Sequence, residues 1–290
     1  MKRGLVLFPK STLGRGTTAF DWWRDAAARH GIAVETAFFE DIVLGYDKNG
    51  PGEIVNGESP LTDPDFVVMR GYDAELSMHF ENRGVSVFNG TVPMMMCRDK
   101  ILTHQILNRN GIPMPDTYRV FGAMGYTDAA DLVGEPVFVV KATQGSCGYN
   151  VYLVHDAAEY DAAVAACSGE CLLQKFIKAS SGRDVRVWTI GGKAVACVMR
   201  KSDTSFRSNF SCGGSALKYK LTRPVALLAE KASIALGLDF AGVDILLGED
   251  GPCVCEVNGN AGFRTLSAVG GPDILDLFFD FINRKVYAKH

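Results

Sequence analysis

Three oxygen-bearing side chains near the end of the chain have the types and spacing of a site for a hard metal ion. The sequence predicts two apolar strands, Phe240–Leu247 and Pro252–Val257, joined by the three-residue turn EDG with glycine in the left-handed position. In that register Asp244 lies opposite Glu256, and Asn258 follows two residues later. Because side chains alternate across a strand, all three are expected on one face.

Two facing carboxylates on a half-buried sheet stay ionised when a cation lies between them. Carboxylate and amide oxygens suit Mg²⁺ or Mn²⁺ and not zinc, and Mg²⁺ is usually held by one or two carboxylates together with phosphates. The pattern therefore predicts half of a metal site, which a nucleotide would complete. The alternative is a solvent-facing hairpin with scattered acids, since a one-residue slip would separate the carboxylates. Cys253 and Cys255 are expected on the opposite face of the strand.

A glycine-rich loop follows a strand that ends in a lysine. Val137–Lys141 is an apolar strand, and the loop ATQGSCGYN leads to a second strand, Val151–Val154. Backbone N–H groups of such loops can cradle phosphates, although the GK[ST] signature of a P-loop is absent. We expect a flap over phosphates with Lys141 beneath it. A plain flexible hairpin is the alternative.

Further cations flank this pattern on both sides. Lys100 begins a helix predicted over Lys100–Asn110, Arg200 ends a returning strand, and Arg207 lies in the polar segment that follows. Taken singly, Lys100 fits a surface lysine and the segment fits a solvated loop.

Composition narrows the class of protein. The 290 residues are 47% hydrophobic, as in a globular chain, and 30 Lys and Arg against 33 Asp and Glu give a net charge of −3, which offers no global basic field for nucleic acid. The eight cysteines form no CxxC pair and suit reduced core thiols in a cytoplasmic protein. The N-terminal apolar run is too short for a signal peptide, and no run is long enough to span a membrane.

Strands and helices alternate over the first 95 residues, which predicts a parallel sheet. Gly14 to Ala19 fits the loose dinucleotide pattern G-x-G-x-x-A, but the first glycine does not follow the strand directly, so a nicotinamide site is not favoured. The segment TVPMMMCRDK is interpreted as a joint between domains.

Together these motifs resemble the ATP-grasp superfamily, and most closely the RimK-type glutamate ligases and their LysX-type cousins. The resemblance rests on Lys100, Lys141 with its glycine loop, and the runs LLQKFI, DVRV, VMRK, FRSN, AGVDIL and CEVN. It implies an α/β protein with three parts: a Rossmann-like parallel-sheet domain at 1–95, a central lobe with the flap at 96–173, and an antiparallel C-terminal lobe with the metal site at 174–290.

The resemblance also implies an activity. ATP-grasp ligases use ATP to activate a carboxylate as an acyl phosphate, which an amine attacks to form an amide, and they use Mg²⁺ or Mn²⁺, here expected as two ions. Carboxylate and amine substrates are the expected partners, and a homo-oligomer is a further expectation. An ATP-binding regulator or scaffold without ligase activity is the alternative.

By resemblance, each matching residue receives a role. Lys100 and Lys141 would contact the nucleotide phosphates, and Arg200 would steady the acyl phosphate. The other nucleotide-site residues are Gln174, Lys175, Phe176 and Ile177 around adenine, then Asp184, and then Arg207, Ser208 and Asn209 near the phosphates. Asp244, Glu256 and Asn258 would bind the metal ions, and Lys141 and Arg207 would join Arg200 in catalysis.

One departure leaves the substrate open. RimK-type enzymes continue after EVN with Ser-Pro-Gly-Leu-Glu, whereas here residues 259–264 are GNAGFR. Ser146 and Cys147 also replace the usual small polar pair of the flap. Arg264 could pair with a substrate carboxylate, or it could be a surface arginine.

Overall fold

The computed structural model describes residues 2–15, 18–48, 50–55, 59–60, 63–121, 124–145, 149–208 and 214–287. Contacts between residues divide the chain into two units. The first comprises Met1–Met95, Leu238–Phe240 and Asp273–His290, and the second comprises Met96–Gly237 and Ala241–Pro272.

The strands form four sheets. In chain order they are β1 (Lys2–Phe8), β2 (Ile32–Phe38), β3 (Ile42–Asp47), β4 (Gly50–Val55), β5 (Ser59–Pro60), β6 (Phe66–Met69), β7 (Ser86–Phe88), β8 (Thr117–Phe121), β9 (Phe138–Ala142), β10 (Val151–Val154), β11 (Glu170–Lys175), β12 (Arg183–Ile190), β13 (Lys193–Lys201), β14 (Ser215–Lys218), β15 (Phe240–Gly248) and β16 (Gly251–Asn258).

Helices connect most of these strands. They are α1 (Thr18–Arg29), α2 (Ala74–Asn82), α3 (Thr91–Arg98), α4 (Lys100–Arg109), α5 (Tyr126–Val133), α6 (Ala157–Ala166), α7 (Arg223–Ala235), α8 (Arg264–Ala268) and α9 (Ile274–Ile282). Within the part of the chain that the structure describes, no helix is both long and apolar enough to cross a membrane.

The first unit is built on a parallel sheet of order β2-β1-β6-β7, as the alternating pattern predicts. Its apolar strands bury Leu5, Leu7 and Val67 against Phe80 of α2. The strands β3, β4 and β5 form a separate antiparallel sheet that was not predicted.

The closing helix α9 belongs to the first unit by its contacts, whereas the sequence division placed it with the C-terminal lobe. The Trp23 ring lies 6.2 Å from that of Phe278 and 5.8 Å from that of Phe279, both edge-on. Such aromatic pairs bury a large apolar area, so they hold the helix against α1.

The second unit contains two antiparallel sheets, of order β10-β9-β11-β8 and β14-β13-β12-β15-β16. In the first, Phe138 and Val140 of β9 pack with Leu173 of β11 and Tyr160 of α6. In the second, α7 packs on β12, β13 and β16. Antiparallel sheets in this half confirm the predicted fold class.

The segment interpreted as a joint contains the boundary between the two units, which falls after Met95, and it is folded as the helix α3. Pro93 is the third residue of this helix, where a backbone N–H has no partner within the helix, so proline is tolerated there. A break then separates α3 from α4, because the Asp99 carboxylate caps α4 by accepting from the N–H groups of Ile101 at 2.8 Å and Leu102 at 3.0 Å.

Candidate active site

The hairpin of β15 and β16 pairs the two predicted carboxylates, since Asp244 lies opposite Glu256. The predicted three-residue turn is wrong, because Gly248 pairs with Gly251 and only two residues connect the strands. Cys255 falls between two consecutive pairs as a bulge, and this extra residue restores the predicted register further along.

The bulge also overturns the predicted direction of Cys255. Its Sγ lies 3.6 Å from Lys141 Nζ, and the residue lines the same cleft as Asp244 and Glu256. Burial, the largest influence, raises the pKa of this thiol above its ordinary value. The thiol therefore faces the cleft in its neutral form.

Asp244 is only 3% exposed and is held by two arginines. Arg186 donates from Nε to Oδ1 at 2.7 Å and from Nη2 to Oδ2 at 2.6 Å, while Arg200 Nη2 lies 2.9 Å from Oδ2. Burial alone would raise the pKa of Asp244, but Arg186 first and Arg200 second outweigh it, so the pKa is lowered. Within the protein, the positive charge beside this carboxylate is supplied by the guanidinium groups of Arg186 and Arg200.

Arg200 also bonds a second carboxylate. Its Nε donates to Asp184 Oδ1 at 2.7 Å and its Nη2 contacts Asp184 Oδ2. Burial would lower the pKa of Arg200, but Asp244 and then Asp184 outweigh burial and raise it. The predicted residues Asp184, Arg200 and Asp244 therefore form one buried ion-pair network with Arg186, in which each charge is paired.

Glu256 and Asn258 approach one another at the end of β16. With one orientation of its amide, Asn258 donates to Glu256 Oε1 at 3.2 Å and accepts from Arg186 Nη2 at 3.2 Å. With the other orientation the amide oxygen faces the Glu256 carboxylate. Two oxygens in that position repel unless a cation joins them, and one lone pair of Asp244 Oδ1 is not used by the guanidinium groups.

This donor set fits a hard divalent ion that needs further ligands from a phosphate. Among the described residues no group of three or more His, Cys, Asp or Glu side chains is arranged to hold a metal alone. Two carboxylates and an amide suit Mg²⁺ with a nucleotide, and they do not suit a closed structural site.

Lys141 and Lys100 also line the cleft. Lys141 is 8% exposed on β9, and its Nζ donates to Gln174 Oε1 at 2.6 Å. Lys100 begins α4, and its Nζ donates to Gly145 O of the β9–β10 loop at 3.2 Å. Burial lowers the pKa of Lys100, Glu256 opposes that effect, and the Lys141 charge adds to it.

The predicted adenine segment spans the end of β11 and the residues after it. Gln174 is buried, and it lines the cleft together with Lys175, Phe176, Ile177 and Leu246. Phe176, Ile177 and Leu246 form an apolar part of this lining. The charged part comprises the cations Lys100, Lys141, Lys175, Arg183, Arg200 and Arg207 and the acids Asp184, Asp244 and Glu256.

Arg207 and Ser208 line this cleft as predicted, next to Phe206. Asn209, and Ser146 and Cys147 of the flap, lie outside the described residues. Arg264 is exposed at the first position of α8.

A RimK-like ATP-grasp domain model matches residues 97–282 of the chain, which include every residue of this cleft. The chain belongs to the RimK-like ATP-grasp family.

Individual relatives agree with this assignment. The chain is 34% identical over 275 residues to a "Probable alpha-L-glutamate ligase" of Aliivibrio fischeri, covering 91% of each. It is 32% identical over 257 residues to the human "Beta-citrylglutamate synthase B", covering 83% of this chain and 66% of that protein. A RimK domain ATP-grasp protein from Sphaerobacter thermophilus shares the fold with a TM-score of 0.73 at 23% identity, covering 96% of this chain and 98% of that one.

The protein is thus an ADP-forming carboxylate–amine ligase that forms an amide bond with the energy of ATP. It uses ATP, as its family does. Its substrates are a carboxylate and an amine.

Arg186 is the principal site residue that was not predicted to act. A signal was available, because Arg186 alternates with Asp184 along β12 and must face the same side. What could not be foreseen was that β15 lies beside β12, so that Arg186 and Asp244 meet across the sheet.

Proposed function

We propose that this ATP-grasp ligase joins the amine of an amino acid, with glutamate as the first candidate, to the carboxylate of a peptide, protein or small molecule. Glutamate appears in the names of both relatives, the alpha-L-glutamate ligase and the beta-citrylglutamate synthase. The observation that carries the proposal is the cleft itself, which is lined by six cationic side chains, three carboxylates and an apolar part.

The apolar part of the lining would receive adenine. Ile177 and Leu246 belong to it, and the backbone of Gln174 to Ile177 would offer hydrogen bonds to the edge of the base. Backbone groups can recognise a base whatever the side chains are. The side chains of Lys175 and Phe176 can therefore line the cleft without taking part in this recognition.

The charged part would receive the phosphates. Lys100, Lys141 and Arg207 would contact them with their charges, and by resemblance Ser208 and Asn209 would join them. Phosphoryl transfer requires little covalent chemistry from the protein, and its rate depends on positioning and on positive charge around the transferred group. These residues supply that charge in a partly buried place, where electrostatic interactions are strong.

Asp244, Glu256 and Asn258 would hold the metal, and we propose two ions. When bound, ATP and Mg²⁺ supply the phosphoryl group for an acyl phosphate and the charge that neutralises the phosphates. Asp184 and Asp244 keep Arg200 charged and fixed through Nε and Nη2, so Nη1 is the part of the guanidinium that would steady the acyl phosphate.

The loop between β9 and β10 would exclude water while the amine attacks. Hydrolysis of the acyl phosphate would otherwise compete with amide formation. Lys100 would help to hold this loop, since it is bonded to both Thr143 through its backbone N–H at 3.1 Å and Gly145 through Nζ at 3.2 Å.

The test is a screen for ADP release over amino acids and short peptides, followed by mass measurement of each product. We expect ADP release that requires an added amine, and a product whose mass equals both substrates less water. ADP release that is the same with and without any amine would contradict ligase activity toward the compounds tested.

Three wider expectations remain predictions. A cytoplasmic location is consistent with the six cysteines that are free thiols within the described residues. A homo-oligomer and the absence of nucleic-acid and membrane partners are tested by size-exclusion chromatography and by binding assays.

A further inference from the structure

The amide of Gln174 lies at the centre of a buried row of polar side chains that reaches the cleft through Lys141. Gln174 is 2% exposed, His104 is 5% exposed and Lys141 is 8% exposed. The amide Oε1 accepts from Lys141 Nζ at 2.6 Å, and Nε2 donates to Thr117 Oγ1 at 2.9 Å. His104 Nε2 lies 3.4 Å from the same Nε2.

The charge of Lys141 at one end of this row determines which atom donates and which accepts in each hydrogen bond. An ammonium group can only donate, so the amide oxygen must face Lys141 and the amide nitrogen must face His104 and Thr117. His104 Nε2 is then the acceptor, and the imidazole proton resides on Nδ1, which lies 3.0 Å from Met114 Sδ. The Thr117 hydroxyl donates in turn to Pro115 O at 2.8 Å.

His104 is neutral in this arrangement. Burial is the largest influence and lowers its pKa from 6.5 to about 4, and the charges of Lys141 and Lys100 add to the effect. A neutral imidazole can accept from Gln174, whereas an imidazolium could not, so the amide keeps one orientation at neutral pH.

Lys141 differs from the other buried cation of the cleft in its partners. Arg200 is paired with two carboxylates, while the partners of Lys141 among the described residues are an amide oxygen and a thiol. A neutral acceptor fixes the direction of an ammonium group without cancelling its charge. The full positive charge of Lys141 is therefore available to a ligand in the cleft.

We propose that Gln174, oriented by Thr117 and His104, is a positioning residue that aims the Lys141 ammonium at the nucleotide phosphates and leaves it unneutralised. This rests on the proposed function, in which Lys141 contacts the phosphates. It gives the side chain of Gln174 a role separate from the backbone role proposed for adenine.

The discriminating variant is Gln174→Glu, which keeps the shape and places a carboxylate against Lys141. The new carboxylate would neutralise Lys141 and weaken its hydrogen bond to the phosphates. ATP affinity is therefore expected to fall about tenfold or more, since a hydrogen bond to a charged group contributes on that scale. Adenosine affinity is expected to stay unchanged, because adenosine has no phosphate for Lys141 to contact. Both affinities are measured by calorimetry or competition.

The matched control is Gln105→Glu, the same change on the exposed side of α4. It should leave both affinities unchanged. Equal losses of ATP and adenosine affinity in Gln174→Glu would show that the side chain only shapes the pocket, and unchanged ATP affinity would show that it does not act on Lys141. Either result overturns the proposal.

A double-mutant cycle with Gln174→Met and Lys141→Met separates this proposal from the proposed function. Gln174→Met keeps the length without a charge, so it serves if the glutamate variant fails to fold. We expect Gln174→Met to weaken ATP binding in the wild-type background and to add nothing when Lys141 is already Met.

Independent, additive losses in this cycle would overturn the positioning role and leave the phosphate role of Lys141 intact. If Lys141→Met alone binds ATP as well as the wild type does, the phosphate role in the proposed function fails and the positioning role fails with it.

Discussion

Arg186 and Asp244 are joined by two parallel hydrogen bonds of 2.7 and 2.6 Å across the sheet of the second unit. The guanidinium fork matches both carboxylate oxygens, so the acid is fixed in direction and kept ionised although it is buried. A proposed metal ligand is thus oriented by the protein before any metal arrives, which lowers the cost of ordering it later.

Arg186→Lys tests that relationship. Lysine keeps the charge but cannot form two parallel bonds, so we expect the free energy of unfolding to fall by about 1–3 kcal/mol, with a loss of ligase turnover. Denaturant unfolding and ADP release measure the two effects. Arg119→Lys changes the half-exposed Arg119–Glu170 pair in the same way and should cost less than about 1 kcal/mol. Equal effects of the two changes would argue against a special role for Arg186.

Gly242→Ala tests the packing beneath the same acid. A Cβ at Gly242 would lie 2.5 Å from the Ala261 Cβ and 3.6 Å from the Arg186 side chain, so the loop after β16 must shift. We expect a loss of about 1–3 kcal/mol in stability together with a lower kcat.

The control for that change lies in the same loop. A Cβ at Gly262 meets no atom within 4 Å, so Gly262→Ala should be close to neutral in stability. If Gly242→Ala were as well tolerated, the close approach of the loop to β15 would be wrong.

The lowered pKa of His104 predicts that the free energy of unfolding depends on pH. Its pKa in the folded state is about 4 and its ordinary value is 6.5, so the imidazole is neutral in both states above pH 6.5. As pH falls from 6.5 toward 4, the unfolded state binds the proton first and stability is lost. The total loss is about 3 kcal/mol below the folded pKa, at about 1.4 kcal/mol per pH unit.

Unfolding of wild type and His104→Gln between pH 7 and pH 4 measures this contribution. The wild type should lose more stability than the variant by about that amount. Parallel curves for wild type and His104→Gln would mean that His104 titrates as freely as an exposed residue.

The sequence predicted most strands of the site, because apolar runs ended by glycine are strong local signals. It placed β10 at its observed bounds and put Asp244 opposite Glu256. That register was reached with two errors that cancel, since the turn is one residue shorter than predicted and the bulge at Cys255 adds one residue back.

Other features depend on tertiary contacts that no local pattern carries. The direction of Cys255 follows from the bulge, and the pairing of Arg186 with Asp244 follows from the neighbouring positions of β12 and β15. The helix α3 was missed because its segment was interpreted only as a joint, although the first turn of a helix accepts proline.

The central claim is that Glu256, with its partners Asp244 and Asn258, serves the nucleotide's metal ion and that amide formation depends on it. The most direct measurement is amine-dependent ADP release by Glu256→Gln against Glu249→Gln, the same change in the exposed turn of the same hairpin. We expect the first variant to be folded by circular dichroism and inactive over a wide range of Mg²⁺ concentration, and the second to match the wild type. Wild-type turnover by Glu256→Gln would contradict the assignment.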